Sequence, residues 1–438
     1  MAPRYSTVAV IGTGPAGISA LKALYEEKTF DKIRVFERRD RAGGTWNYDP
    51  TPQKFPGTYP SISDTPTQPP SKFPQTTTPL IPLMAFTHTP LPDGNSEVST
   101  ERYGAGNPTR PYHVVARYLL DLVEKYREYI SFNITVVTVE KIDSGKWRLT
   151  LRQPEVHGDV VSDSWWQEEF DAVIVATGQY NVPFVPESPG LEDTVKTHPE
   201  ALEHVNAFRS QDHYAGKKVV VVGGSFSAGD VIGDIYTLVQ GLLYVSQSSH
   251  FPLITQIWDL PNVEVKPTID QIQGQSPSKL RITFSDGSQL EDVDKVIFAT
   301  GYRLSFPFFS PDPILNPSLA AIGLVRAPLL FRMMEYEAVA VARYYAGRGG
   351  ELPSEEEQER WEAEQLKLRD GYKFHEIPME MKGHFDFFRD LAGPPAAETD
   401  GYELPEFAEE WSEKCLSVLL LKDEYWGRVR RGEVEVQV

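Results

Sequence analysis

The sequence predicts an α/β protein with two doubly wound parallel-sheet domains, the second inserted in the first. Three observations carry that expectation. One is Val8-Ala9-Val10-Ile11-Gly12-Thr13-Gly14-Pro15-Ala16-Gly17, an apolar run leading into closely spaced glycines. The pattern recurs far downstream as Val219-Val220-Val221-Val222-Gly223-Gly224-Ser225-Phe226-Ser227-Ala228. Finally, two apolar segments share an ending and bracket the second turn: Ala172-Val173-Ile174-Val175-Ala176-Thr177-Gly178 and Val296-Ile297-Phe298-Ala299-Thr300-Gly301. Runs of this kind suit the centre of a parallel sheet, buried on both faces. Their endings mark where the chain leaves one domain and returns. The expected parse is a discontinuous first domain, residues 1–180 and 301–438, with residues 181–300 inserted.

The first glycine turn has the context that gives such a motif meaning. A helix is expected over Ile18–Glu27, then a strand Ile33-Arg34-Val35-Phe36 closing on Glu37, about twenty residues beyond the glycines. Gly12 permits the tight turn, Gly14 lets the backbone approach a pyrophosphate, and Gly17 lets the helix pack on the strand. The helix N-terminus then faces phosphate charge, and Glu37 can accept hydrogen bonds from the ribose of an adenosine. The second turn predicts a helix from Ala228 towards Leu238 and a strand Leu242–Val245. Two such starts in one chain imply two dinucleotides facing each other, one a flavin and one a nicotinamide.

The composition sets limits. A chain of 438 residues buries a large core and is expected to hold two or three domains. Its net charge of −19 argues against a nucleic acid or anionic membrane partner. Cys415 is the only cysteine, so neither an internal disulfide nor a redox dithiol is possible. Met1–Arg4 runs straight into the first strand, no apolar stretch of membrane-spanning length occurs, and the tail from Tyr425 is short and charged. A cytoplasmic protein without a membrane anchor is expected, and no metal site.

Elsewhere, Arg117–Tyr129 has helical spacing, with Val115, Leu119, Leu122 and Val123 on one face. Ser354-Glu355-Glu356-Glu357 reads as a capping box opening a helix to Arg369, its acids a solvated face. The proline-, threonine- and serine-rich run between Asp49 and Asp93 reads as an irregular ordered loop near the ligand, a flexible linker being the alternative.

Taken together, these residues resemble the flavin-containing monooxygenases of the class B flavoprotein monooxygenases, most closely the fungal type. The resemblance spans nearly the whole chain. It rests on the two turns, Phe36-Glu37-Arg38-Arg39, Gly43-Gly44-Thr45-Trp46-Asn47-Tyr48, and Ala176-Thr177-Gly178-Gln179-Tyr180-Asn181-Val182-Pro183. Further on it includes Ala299-Thr300-Gly301-Tyr302 with Phe306-Pro307-Phe308, and Ala342-Arg343 with Ala346-Gly347-Arg348 and Leu352-Pro353-Ser354. It implies FAD on Gly12, Thr13, Gly14, Pro15, Ala16, Gly17, Glu37, Arg38 and the Gly44-Thr45-Trp46 corner, with Val137 near the adenine. NADPH would lie on Gly223, Gly224, Ser225, Phe226, Ser227 and Ala228, with Thr300 close by. The implied chemistry is oxygenation of nitrogen or sulfur in a small molecule by molecular oxygen, through a flavin 4a-hydroperoxide.

Five departures from the family pattern stand out. Ser225 and Ala228 replace the second and third glycines of the second turn. After the following strand, Ser246-Gln247-Ser248-Ser249-His250 offers neither an acid to repel a 2′-phosphate nor an arginine to grip it, which favours NADPH modestly over NADH. The fingerprint between the nucleotide domains keeps Pro189-Gly190 but has Ser188 at its aromatic position, and its histidine is His204 or His198, followed by Phe208. His88, in Phe86-Thr87-His88-Thr89-Pro90, falls where the resemblance puts an asparagine against the flavin; as a catalytic residue it would titrate near neutral pH. The connection from Phe308 to Leu319 is shorter than the family's. Baeyer–Villiger oxygenation is a close alternative, and the last two departures motivate another, an uncoupled NADPH oxidase making hydrogen peroxide. A disulfide reductase is excluded by the lone cysteine.

Overall fold

In the computed structural model, the described residues are 2–51, 55, 85–157, 160–309, 316–368, 375–377 and 381–436. The chain opens with β1 (Thr7–Ile11), α1 (Pro15–Glu26) and β2 (Lys32–Phe36). Pro15 starts α1 because the first helical N–H needs no intrahelical partner. Two helices follow, α2 (Glu97–Tyr103) and α3 (Tyr112–Glu124). The latter begins five residues before the expected span, ends at Glu124 and is followed by a short 3₁₀ turn at Arg127–Tyr129. Its buried stripe is Val115, Tyr118, Leu119 and Val123, so the apolar spacing located the face better than the ends.

After β3 (Ile130–Ser131), an antiparallel sheet of β4 (Thr135–Lys141), β5 (Trp147–His157) and β6 (Val160–Phe170) precedes β7 (Ala172–Val175). The chain then passes through β8 (Val182–Pro183), α4 (Leu191–Thr197) and β9 (Leu202–His204). A second nucleotide-type unit follows: β10 (Val219–Val222), α5 (Phe226–Ile235), β11 (Leu243–Ser246) and β12 (Val263–Lys266). It too carries an antiparallel sheet, β13 (Ile269–Ser276), β14 (Lys279–Phe284) and β15 (Gln289–Val293), before β16 (Lys295–Phe298). The return runs through β17 (Tyr302–Arg303), β18 (Leu319–Ala321), α6 (Leu330–Tyr345), α7 (Glu355–Leu368), α8 (Lys382–Ala392) and α9 (Glu409–Arg430).

Two five-stranded parallel sheets result, in the orders β18-β7-β1-β2-β3 and β12-β11-β10-β16-β9. Each has helices on one face and a three-stranded sheet on the other. Val8, Val10 and Ile174 pack with residues of α1, α3, α6 and α8, whereas Ala9, Val173 and Val175 pack with β4–β6 and Phe308. In the second sheet Val219, Val221 and Ile297 pack on α5, and Val220, Val296 and Phe298 on β13–β15. Alternation of side chains along fully buried strands produces both layers. The short antiparallel pair β8–β17 joins the exit from the first sheet to the return from the second.

The C-terminal segment behaves differently from the charged tail expected. Tyr425 and Trp426 are 5 % and 6 % exposed and belong to the core of the second sheet. Lys422 pairs with Asp230 of α5 at 2.7 Å, and Asp423 accepts from the Thr255 and Gln256 backbone N–H groups. The capping box is present: the Ser354 N–H and hydroxyl both donate to Glu357, and no residue of α7 is buried. Most of the run 49–93, and the connection at 310–315, lie outside the described residues.

Candidate dinucleotide-binding site

The first turn sits where β1 ends beside β2 and β7. Gly12 has φ +102°, and a Cβ there would stand 2.6 Å from the Ala176 carbonyl oxygen; both facts demand glycine. Gly17 lies so close to the Gly12 carbonyl that a Cβ would overlap it, which seats α1 directly on the turn. The Gly43 N–H donates to the Thr13 carbonyl at 2.8 Å, carrying the Gly44-Thr45-Trp46 corner across Gly14. Trp46 is buried edge-on to Phe331.

Glu37, 6 % exposed, closes the site by accepting from the Thr13 N–H (2.9 Å), the Thr13 hydroxyl (2.6 Å) and the Arg39 N–H (3.0 Å). Each carboxylate oxygen has two lone pairs; Oε2 uses both on Thr13, whereas Oε1 takes only the Arg39 N–H and can still accept from a ribose. Arg38 reaches Asn181, whose amide donates to the Thr177 carbonyl at 2.9 Å. Burial pushes the Arg38 guanidinium pKa down, opposed by Glu37. Val137 lies at a register irregularity of β4, a strand entered directly from Glu37 through the Ile134 N–H. The Thr177 hydroxyl oxygen is buried at this turn without a partner. An orphaned hydroxyl beside a helix N-terminus and a ribose-ready acid fits a bound dinucleotide.

The second turn repeats the plan. Gly223 has φ +135°, and its Cβ would stand 2.5 Å from the Ala299 carbonyl oxygen. The Phe251 N–H donates to the Gly224 carbonyl at 2.8 Å, as Gly43 does to Thr13. The register makes Gln247 the counterpart of Glu37, since Val222 pairs with Ser246 as Ile11 does with Phe36. Its Oε1 is buried without a partner and points at Gly224. Ser225 is exposed at the start of α5 and makes no capping bond. Phe226 packs on Phe251, Ser227 is half-buried and Ala228 fully buried. The Thr300 hydroxyl donates to the Phe184 carbonyl. An unpartnered acceptor at the ribose position fits a nucleotide here as well.

Of the two fingerprint histidines, His204 is the one between the sheets. It is 1 % exposed, its Nδ1 accepts from the Asn206 N–H and its Nε2 donates to the Gly301 carbonyl at 3.0 Å. Burial holds its pKa down at about 4, so the ring is neutral. His198 bonds instead to the Ser276 carbonyl at the antiparallel sheet of the inserted unit.

The surroundings of His88 bear on the role expected of it. Its ring stacks on Phe86 and bonds the Thr89 hydroxyl at 2.7 Å. It lines a small cavity with Ser19, Lys22, Ala23, Glu26, Glu335, Val339 and Tyr402, along the later turns of α1 and not at its N-terminus. Burial, with Lys22 adding to it, pushes its pKa down to about 3. His88 therefore stays neutral where an exposed imidazole would titrate. Glu335 there takes the Thr87 N–H and hydroxyl (both 2.6 Å) and the Tyr402 hydroxyl, and burial raises its pKa. Thr177 and Asn181 stood in the quoted motif without a role of their own, and Arg209 escaped the sequence reading. Arg209 had a signal, a cation directly after Phe208.

A two-layered pair of nucleotide-binding sheets, each with its turn, defines an oxidoreductase built for two dinucleotides. The sequence profile described as Pyridine nucleotide-disulphide oxidoreductase matches residues 6–311, and Flavin-binding monooxygenase-like matches residues 256–380. Flavin-containing monooxygenase ustF2 of Aspergillus flavus is 25% identical, covering 86% of this chain and 89% of its own. Flavin-containing monooxygenase FMO GS-OX-like 7 of Arabidopsis thaliana is 30% identical over 82% and 77%. A trimethylamine monooxygenase of Pelagibacter ubique is 30% identical over 70% and 63%. The solved S-allyl-L-cysteine S-oxygenase from Allium sativum shares the fold, with TM-score 0.73, 21% identity and 98% of both chains covered.

This chain belongs to the flavin-containing monooxygenase family. It is an oxidoreductase, and FAD and NADPH are its cofactors, as the two turns led us to expect. Despite the disulphide name of one profile, Cys415 is buried with its thiol pKa pushed up to about 12 and has no second cysteine to act with. Among the described residues, no helix is long and apolar enough to cross a membrane.

Proposed function

We propose that this protein is an NADPH-dependent monooxygenase that inserts one atom of molecular oxygen at nitrogen or sulfur of a small molecule. The observation that carries the reading is the pair of register-matched turns, each with an orphaned polar atom at its ligand side. In this reading residues 1–180 and 301–438 form the FAD domain and residues 181–300 the NADPH domain, with the end of α9 braced on the latter. Gly12 to Gly17 receive the FAD pyrophosphate, Glu37 and Arg38 its ribose, Val137 borders its adenine and Gly44-Thr45-Trp46 flank the flavin. Gly223 to Ala228 receive NADPH, with Thr300 fixing the chain beside them.

Bound FAD, reduced by NADPH, would supply the activation of molecular oxygen. The chain's own work is to hold and align the two carriers and to keep water from the site. No side-chain triad is required for this, and His88 is assigned a packing role. The nitrogen or sulfur nucleophile is supported by a trimethylamine monooxygenase among the relatives and an S-oxygenase among the structural neighbours. A cytoplasmic location is part of the proposal, motivated by the single unpaired cysteine.

The test is an absorbance spectrum of the purified protein, then oxygen and NADPH consumption with a panel of amines and thioethers. Yellow protein forming about one oxygenated product per NADPH is expected. Peroxide accounting for all turnover with every substrate would overturn the reading in favour of an oxidase, and an ester formed from a ketone in favour of Baeyer–Villiger chemistry.

A further inference from the structure

We propose that Arg209 is a positioning residue that fixes the flavin-side loop against the nicotinamide half, and so sets the alignment of the two carriers; this rests on the function proposed above. Arg209 is 9 % exposed. Its Nε donates to the Asp49 carbonyl (2.8 Å) and its Nη2 reaches the Thr51 carbonyl (3.4 Å). Nη1 donates to the carbonyls of Asn206 (2.8 Å) and Phe208 (2.9 Å). Two of these acceptors belong to the turn after β9, beside the second sheet. The other two lie just past the Gly44-Thr45-Trp46 corner, the element that crosses the first turn.

Among the described residues Arg209 forms no ion pair; all its hydrogen bonds go to neutral carbonyls, and the carboxylates of Asp49 and Glu203 act on it only at longer range. Burying a guanidinium this way carries a desolvation cost that a hydrophobic contact would avoid. Packing alone does not explain a buried cation here, whereas fixing a register does. The rigid fork of the guanidinium reaches acceptors in fixed directions, which an ammonium on a flexible stem does not. Five residues earlier, His204 holds the Gly301 carbonyl, two residues past the Ala299 carbonyl that meets Gly223. One short segment, 204–209, therefore grips both the chain leaving the first turn's corner and the chain leaving the second sheet.

The experiment compares Arg209→Ala and Arg209→Lys with the wild-type holoprotein in three readouts. These are hydrogen exchange of the amides at 47–51, KM for NADPH against kcat, and the fraction of NADPH electrons lost to peroxide. Both variants should stay yellow. Arg209→Ala should exchange at least about tenfold faster at 47–51, raise KM for NADPH about tenfold or more and raise the peroxide fraction, with partial recovery on adding guanidinium. Arg209→Lys should fall between. Should Arg209→Ala not fold, the lysine variant decides by the same measures. Unchanged exchange at 47–51 overturns the proposal, as does an unchanged KM and peroxide fraction in an enzyme whose wild type turns over. A wild type that does not oxidise NADPH at all overturns the function instead, and the exchange measurement still decides for Arg209.

Discussion

The two glycine turns have nearly the same backbone and different side chains. In each, the first glycine takes a positive φ and faces the carbonyl of an alanine in an Ala-Thr-Gly ending, Ala176 or Ala299. In each, the residue after that glycine offers its carbonyl to the loop beyond the next strand. Three of the matched positions that differ bear on how a carrier is held. Gly17 becomes Ala228, Glu37 becomes Gln247, and Thr177 with its orphaned hydroxyl becomes Thr300 with a carbonyl partner. A Cβ has no room at Gly17, yet Ala228 carries one and is fully buried. The second turn therefore leaves room for a methyl group where the first does not. The tighter turn with the acid suits a carrier held permanently, and the looser turn with a neutral amide suits one that comes and goes.

The sharpest way to break that comparison is to strain both turns alike. Gly12→Val and Gly223→Val each put a branched side chain at positive φ against a carbonyl, a strain of about 3 kcal/mol or more. Gly12→Val should yield colourless protein. Gly223→Val should remain yellow with KM for NADPH raised about 100-fold or more. Flavin spectra and NADPH titration decide, and a yellow Gly12→Val variant would reverse the assignment of carriers.

Exchanging the helix residues probes the spacing. Gly17→Ala should cost about 2 kcal/mol through overpacking against the Gly12 carbonyl, read as a lower denaturation midpoint and weaker flavin retention. Ala228→Gly should cost only about 1 kcal/mol, the helix-propensity difference. Equal costs would mean that the two helices seat alike.

Position 247 tests recognition. Gln247→Arg should raise the preference for NADPH over NADH about tenfold by gripping the 2′-phosphate, and Gln247→Glu should lower it by a similar factor. Steady-state kcat/KM for both coenzymes measures this, and no change in either variant would remove Gln247 from the ribose subsite.

At neutral pH the smallest effects concern the buried histidines. His204 and His88 have folded pKa values of about 4 and about 3, below the ordinary 6.5. The unfolded chain therefore takes up their protons first as the pH falls. Stability is whole above pH 6.5 and declines as pH drops towards 4, by at most ~1.4 kcal/mol per pH unit for each histidine. His204→Gln should flatten part of that decline in melting temperature. His88→Asn should leave the rate of flavin reoxidation unchanged; a change would return His88 to the chemistry.

Much of the nucleotide-binding plan was legible in the sequence because it is local. The turn at Gly12, the acid at Glu37 and the shared endings at Thr177 and Thr300 lie within short, strongly patterned segments whose backbone sterics leave few choices. Helix ends were less legible, as α3 shows, because a stripe such as Val115, Leu119 and Val123 fixes a face and not a boundary. The burial of His88 was not legible, because a motif match says nothing of the surroundings that neutralise a ring.

What the sequence determined by itself was that two dinucleotide turns exist, which residues build them, and which dithiol chemistry is absent. Only the tertiary structure decided that His204 and not His198 lies between the sheets, that Tyr425 and Trp426 brace the inserted unit, and that Arg209 holds a loop 158 and 160 residues away. The physical reason is range: a tight turn is dictated by the steric limits of neighbouring residues, whereas a buried cation's acceptors are chosen by how distant surfaces meet.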